Sequence, residues 1–305
     1  MGRYLLRRLA HAGLVLVGVS AVVFGLLQLS GDPAALLLPP DVAADELLRF
    51  RRALGFDDPL PVRFGRFLRG AVVGDFGQSL RHGEPAMGLV LERMPATAAL
   101  ALAAMALALG AAVPLGVAAA VRRGSWFDRA AMGAALVGQS MPVFWVGIML
   151  ILLFAVWWRW LPAFGTGTPA HLVLPAVTLA GFLVARIARV TRAGMVEALG
   201  DDYVRTARAK GLTEAAVVWK HALKNAALPL VTIIGLDLGS LLGGAVITET
   251  VFAWPGVGRL AVQAIANRDF PVVQAAVFAF GTIFVAVNLL VDLCYVVLDP
   301  RVRAA

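Results

Sequence analysis

Cysteine is almost absent from this chain. With one thiol, Cys294, in 305 residues, no disulfide framework, redox pair or thiolate metal site can be assembled, and its place inside an apolar run reads as packing. Histidine is sparse as well. His11, His82, His171 and His221 are scattered with no metal-ligand spacing, so no metal site is expected. Charge is also short, at 15% of residues against 60% apolar, with a mean hydropathy of +0.82, which excludes an ordinary soluble surface. A Gly-x-x-x-x-Gly-Lys-Ser/Thr run is missing, so ATP phosphates are not cradled by that route. A nucleophile-and-base constellation is missing too, which argues against a membrane-embedded enzyme. The net charge of +8 is divided between apolar runs and forms no continuous patch, which argues against a nucleic-acid face.

What the chain has in quantity is apolar length. A membrane-crossing helix needs roughly 20 apolar residues because backbone groups cannot be left unpaired in hydrocarbon. Six stretches qualify: residues 9–29, 97–121, 130–158, about 172–190, 228–252 and 272–298. The first is too long for a signal-peptide core and exits into Ser30, Gly31, Asp32 and Pro33, so it reads as an uncleaved span. Between spans one and two lies a polar segment, 30–95, with eight arginines and nine acidic residues. Long loops cross regardless of charge, so it is assigned to the outside.

Basic residues fix the orientation. The amino end, 122–129, 186–224 and the tail carry 16 Lys and Arg, and the opposite short loops carry only Arg159, Arg259 and Arg268. Both termini are therefore cytoplasmic. Trp157, Trp158, Trp160 and Trp254 fall near outer ends of spans, where indole rings favour the interface. The expected architecture is an all-α, polytopic membrane protein of six transmembrane helices. Its parts are an amino end with the first span (1–29), an extracytoplasmic segment (30–95) and a core of five spans (96–305) holding a cytoplasmic loop at 192–227.

That loop is the informative connection. Gly211 can end a helix in a left-handed conformation, Thr213 can cap the next, and Glu214 then sits at its positive amino end. The short helix 214–220 carries Ala215, Ala216, Val217, Val218 and Trp219, too apolar to stay bare. It is either an interfacial amphipathic helix or a docking helix that passes motion from a soluble subunit into the spans.

Inside the membrane, Asp237 is costly and is paired, protonated or facing water. It belongs either to a pathway or to a structural hydrogen bond. Asp237, Ser240 and Gly244 share a helical stripe that could line a polar path, while Gly235, Gly239 and Gly243 form a packing face. Gln139 and Ser140 before Pro142 make a polar break in span three, for which kinking is the plain alternative. Asp292 and Asp299 anchor the inner end of span six, with Arg301 or Arg303 as partners.

The run 202–212 (Asp-Tyr-Val-Arg-Thr-Ala-Arg-Ala-Lys-Gly-Leu) and 221–229 (His-Ala-Leu-Lys-Asn-Ala-Ala-Leu-Pro) resembles the cytoplasmic signature loop of bacterial ABC importer permeases of the dipeptide, oligopeptide and nickel type. Residues 93–97, 140–145, 243–259, 267–274 and 299–301 resemble the same family, which carries the likeness over nearly the whole chain. The general importer loop has Glu-Ala-Ala, three residues, then Gly, with Ile-x-Leu-Pro beyond. Here Arg205-Thr206-Ala207 precedes Gly211, and His221, Leu223 and Lys224 stand where Ile, Leu and Pro would fall, as is usual in the peptide branch.

The resemblance implies a type I importer permease in the bacterial inner membrane, passing a di- or oligopeptide between itself and a second homologous permease. It implies two ABC ATPase subunits that bind ATP and Mg, and an extracytoplasmic substrate-binding protein meeting 30–95 and 253–271. Arg205, Ala207, Gly211, Leu212, Thr213, Glu214, Trp219 and His221 would couple to the ATPases. Gln139, Ser140, Asp237, Ser240 and Glu249 would line the path. Peptide, nickel and glutathione importers share these motifs, so the solute stays open at this stage. The rival reading is a secondary transporter driven by an ion gradient, with Asp237 as its ion site.

Overall fold

The computed structural model describes residues 2–29, 49 and 57–298, and within them the regular structure is helical, with one isolated bridge between Gln78 and Pro85. The helices are α1 (Gly2–Leu29), α2 (Leu60–Val73), α3 (Ala86–Val121), α4 (Trp126–Ser140), α5 (Val143–Leu150, continued by a π-helical stretch Ile151–Trp157), α6 (Ala170–Gly200), α7 (Asp202–Ala209), α8 (Leu223–Gly244, preceded by a π-helical stretch Ala216–Ala222), α9 (Val246–Val251), α10 (Val257–Ala266) and α11 (Phe270–Leu298). Five helices are long and apolar enough to cross a membrane: Ala10–Leu27, Ala86–Val121, Ala170–Gly200, Glu214–Leu242 and Phe270–Cys294. The pair α4 and α5 supplies the sixth span.

Three spans differ from their expected outlines. Span two begins with α3 at Ala86, ahead of the expected 97, and the helix runs on through Pro95 and Pro114 without interruption. Span three is not one helix. It bends by 98° between Ser140 and Val143, where Pro142 lacks the amide a continuing helix needs. Span five ends at Gly244 and restarts as α9 after Ala245, so the expected 228–252 is two pieces. Cys294, expected in packing, is exposed on α11.

The described chain divides into two compact units. The first joins the residues up to Ala96 with Gly256–Val285. Its core is Ala71, Phe76, Ala86, Val90, Val257, Ala261, Val272 and Ala276, and a chain of rings runs Phe24, Phe67, Phe76, Phe278 at centroid separations of 5.8, 5.9 and 5.3 Å. Asp269, itself buried, accepts from Ser79 Oγ at 2.5 Å and from the Leu80 amide at 3.1 Å. The outer segment from 57 onward is thus packed against the stretch after Gly256.

The second unit, Thr97–Pro255 with the residues from Ala286, holds most of span two, spans three to five, the 192–227 loop and the end of span six. Here α6, 31 residues long, is the central rod, about 46 Å at 1.5 Å per residue. That exceeds the ~30 Å of hydrocarbon, so it extends into the cytoplasmic loop. Small residues set its approach to neighbours: Gly116 of α3 lies on Ala188 and Thr191, and Gly194 lies on Ala226 of α8. A side chain at either glycine would meet those atoms at 3.3 Å or less.

Candidate functional site

The cytoplasmic loop is a small folded unit. α7 buries Val204 and Ala207 against Val217, with Tyr203 beside them. Gly211 then turns the chain at φ +76°, a left-handed conformation that suits a residue without Cβ. Its amide donates to the Arg208 carbonyl at 2.9 Å. Thr213 receives the next turn through its carbonyl, from the Val217 amide at 3.0 Å, and through Oγ1, from Ala216 at 3.4 Å. Glu214 is held by Arg208, whose Nη2 and Nε lie 2.6 and 3.1 Å from the carboxylate oxygens. That guanidinium keeps the Glu214 carboxyl below its ordinary range and is itself raised.

The apolar segment that seemed in need of a partner is half satisfied internally. Val217 packs on α7, and Val218 and Ala222 pack with Val117, Met195, Ala198 and Ala226. What remains outside is narrower: Trp219 at 49% exposure and Leu212 at 40%. Arg205, Gly211, Thr213 and Glu214 are exposed around them, His221 is half-buried, and Ala207 is buried in the loop's own core.

Two of the residues expected to line the path, Asp237 and Gln139, are held by a helix whose contribution the sequence did not reveal. Asp237 of α8 is buried, and its Oδ1 accepts from Arg186 Nη1 of α6 at 2.7 Å. One turn on, Arg189 donates to Gln139 of α4 and to the Ala185 carbonyl. A further turn on, Arg192 meets Asp128. Arg186, Arg189 and Arg192 recur every three residues, so α6 reaches both neighbouring spans through one winding stripe. Arg186 and Arg189 had counted only as topology signals; their helical spacing within an apolar stretch was the available clue.

Ser140 is exposed at the α4–α5 bend, its hydroxyl donating to the Leu136 carbonyl at 2.9 Å. Ser240 is exposed one turn from Asp237. Glu249, by contrast, is completely buried and accepts from Thr97 Oγ1 at 2.7 Å. Gly235 lies against Val291 of α11 so closely that a Cβ there would overlap it, in keeping with a packing face. Arg301, Arg303 and Asp299 lie outside the described residues, while Asp292 is buried.

On the first unit, a cavity of about 210 Å³ is lined by Arg81, His82, Gln263 and Asn267 among others, and Arg81 donates to Asn267 Oδ1 at 2.5 Å. Both stretches belong to the outer segments expected to face a binding protein.

Comparison with known proteins gives the following. Residues 112–304 match the family described as binding-protein-dependent transport system inner membrane component, and residues 1–101 match the N-terminal membrane component of the same systems. A probable peptide ABC transporter permease of Sinorhizobium fredii is 42% identical, over 99% of this chain and 100% of its own. The dipeptide transport system permease DppB of Escherichia coli K12 is 40% identical, over 99% of both chains. The glutathione transport system permease GsiC of Salmonella paratyphi A is 41% identical, over 99% of both. Among solved structures, a chain of the inward-facing MetNI methionine ABC transporter superposes with a TM-score of 0.51 at 22% identity, covering 72% of this chain and 96% of that one. This last likeness concerns the fold alone.

Proposed function

This chain belongs to the family of binding-protein-dependent transport system inner membrane components, and on that premise we propose that the solute it passes is a di- or oligopeptide. It is a transport subunit of an ABC importer, multi-pass in the inner membrane, and not an enzyme. The observation that carries the solute class is that relatives matching over 99% of the chain are named for peptides, dipeptides and glutathione, all of them short peptides.

The energy source is assigned to partners. Two ATPase subunits, holding ATP and Mg, drive the cycle, and a second homologous permease completes the pathway. Trp219 and Leu212 are the apolar contacts for an ATPase, with Arg205, Gly211, Thr213, Glu214 and His221 around them and Ala207 shaping the loop from within. Gln139, Ser140, Asp237 and Ser240 line or support the path, and Glu249, fully buried and bonded by Thr97, supports it from within the packing. Residues of 30–95 and of 253–271 meet the binding protein. The rival carrier reading requires Asp237 to exchange an ion, but that carboxylate is engaged by Arg186.

The test is purification of the tagged chain in mild detergent, mass spectrometry of its partners, and uptake of a labelled dipeptide by the reconstituted assembly. Co-purification of subunits bearing a phosphate-binding loop, lost or weakened in Trp219→Ala, is expected. A chain that purifies alone and transports by itself overturns the importer assignment. An assembly that carries nickel and no peptide overturns the solute.

A further inference from the structure

Arg186 is an unusual charge for its depth. It follows the apolar run 172–185 of α6 and is flanked by buried Ala185 and Ile187. Its partner Asp237 lies about 14 residues, or roughly 21 Å, along α8 from Leu223. An arginine relieving itself of lipid would snorkel toward the cytosolic end of the span. This one is held by Asp237 of α8 instead, and yet its side chain stays 37% exposed while that of Asp237 is 4% exposed. A guanidinium cannot be left open to hydrocarbon. The exposed part therefore looks into a polar space, which in a permease subunit is the translocation path.

The pair is also incompletely bonded. Among the described residues Arg186 makes one hydrogen bond to Asp237, through Nη1, out of five N–H donors on a guanidinium. The second carboxylate oxygen, Oδ2, is buried with no hydrogen-bond partner among them. Arginine and carboxylate frequently meet fork to fork, two bonds in parallel, as Arg192 does with Asp128, and Arg186 does not. The Arg186 contact leaves most of the guanidinium's donors unspent on a side chain that is 37% exposed. The exposed hydroxyl of Ser240 lies one turn from Asp237 on the helix that the pair ties to α6.

We propose that Arg186 is a specificity-determining residue of the pathway. Its free donor edge takes the terminal carboxylate of the passing peptide, and Asp237 is the positioning residue that holds the guanidinium in place and neutralises it between turnovers. The inference rests on the peptide reading above. A resident counter-ion also keeps the site weak, so that a carboxylate attracted there is not trapped.

The experiment is uptake by the complete importer in proteoliposomes, driven by saturating binding protein, of a labelled dipeptide and of the same dipeptide with its carboxyl converted to an amide. The binding protein's own preference is the same for every variant and cancels in the ratio. Arg186→Gln is expected to cut uptake of the free acid about tenfold, the scale of one lost charge-assisted hydrogen bond, and uptake of the amide less than twofold. Arg186→Lys is expected to keep most of the preference for the acid, and Asp237→Asn to shift the ratio in the same direction as Arg186→Gln. Equal loss for both peptides in Arg186→Gln, or an unchanged ratio in both Arg186→Gln and Asp237→Asn, overturns the proposal and leaves the peptide reading intact. A wild-type assembly that carries neither peptide overturns the peptide reading itself.

Discussion

Arg192 of α6 grips Asp128 of α4 with two nitrogens, Nε at 2.5 Å from one carboxylate oxygen and Nη2 at 2.7 Å from the other. The Gly124 amide donates to the same carboxylate at 2.9 Å, and Asp128 itself is capped by Ser125. The pair locks the start of the bent third span to the central rod. Asp128→Asn leaves the Arg192 guanidinium without its counter-charge and is expected to lower the unfolding midpoint of the purified assembly. Adding Arg192→Gln to it should recover part of the loss. An unchanged midpoint in the single variant would show that the pair holds nothing.

Gly211 turns the cytoplasmic loop at φ +76°. A β-branched residue there is strained by about 1–3 kcal/mol, and no atom outside its own chain neighbours stands in the way, so the loop should distort without unfolding the spans. Gly211→Val is expected to leave the amount of protein in the membrane unchanged and to raise the number of ATP molecules hydrolysed per solute imported. Gly211→Asn, which tolerates the left-handed region, should behave close to wild type. Normal stoichiometry in Gly211→Val would rule out this turn as a transmission point.

The Arg208–Glu214 pair gives the loop a pH signature. Arg208 holds the Glu214 carboxyl below its ordinary value of 4.5, so the pair's contribution is complete above that value and is lost as pH falls through the lower folded one. Amide-exchange protection of residues 208–217, corrected for the intrinsic rate, should be flat from pH 8 to about 5 and fall only in acid. Glu214→Gln should show the low protection at every pH. Protection that changes near neutrality would point to a different titrating group.

Gly235 and Val291 occupy one volume. A methyl group on Gly235 would overlap the Val291 side chain, so Gly235→Ala is expected to destabilise by about 1–3 kcal/mol through overpacking. Val291→Ala in the same chain should restore most of it, because the second change vacates the space the first one fills. The check is a double-mutant cycle on the unfolding midpoint, and strictly additive losses would contradict it.

The sequence disclosed what local chemistry decides and little of what distant pairing decides. Apolar runs and the distribution of arginines located the spans, and Gly211 announced its own backbone conformation. Pro142 marked where span three breaks, but a proline removes an amide without dictating a 98° bend, which packing sets. The structure of the polar segment 30–95 stayed open because the anchor of its Ser79, Asp269, lies 190 residues away. Val217 and Val218 looked like a docking face because their partners, Val204 and Met195, stand on other helices. Arg186 and Arg189 were hidden by their own usefulness as inside-facing charges. Only the fold shows that they hold Asp237 and Gln139.

One helix runs continuously from Glu214 to Leu242, so Trp219 and Asp237 are two points on the same body. Linkage between them is thermodynamically mutual. If nucleotide-driven movement at Trp219 alters how strongly a solute is held beside Asp237, then occupancy beside Asp237 must alter, by the same factor, how tightly a partner is held at Trp219. Under that condition the importer is informed of its cargo from within, and a mutation that removes the coupling read at one end removes it as read at the other.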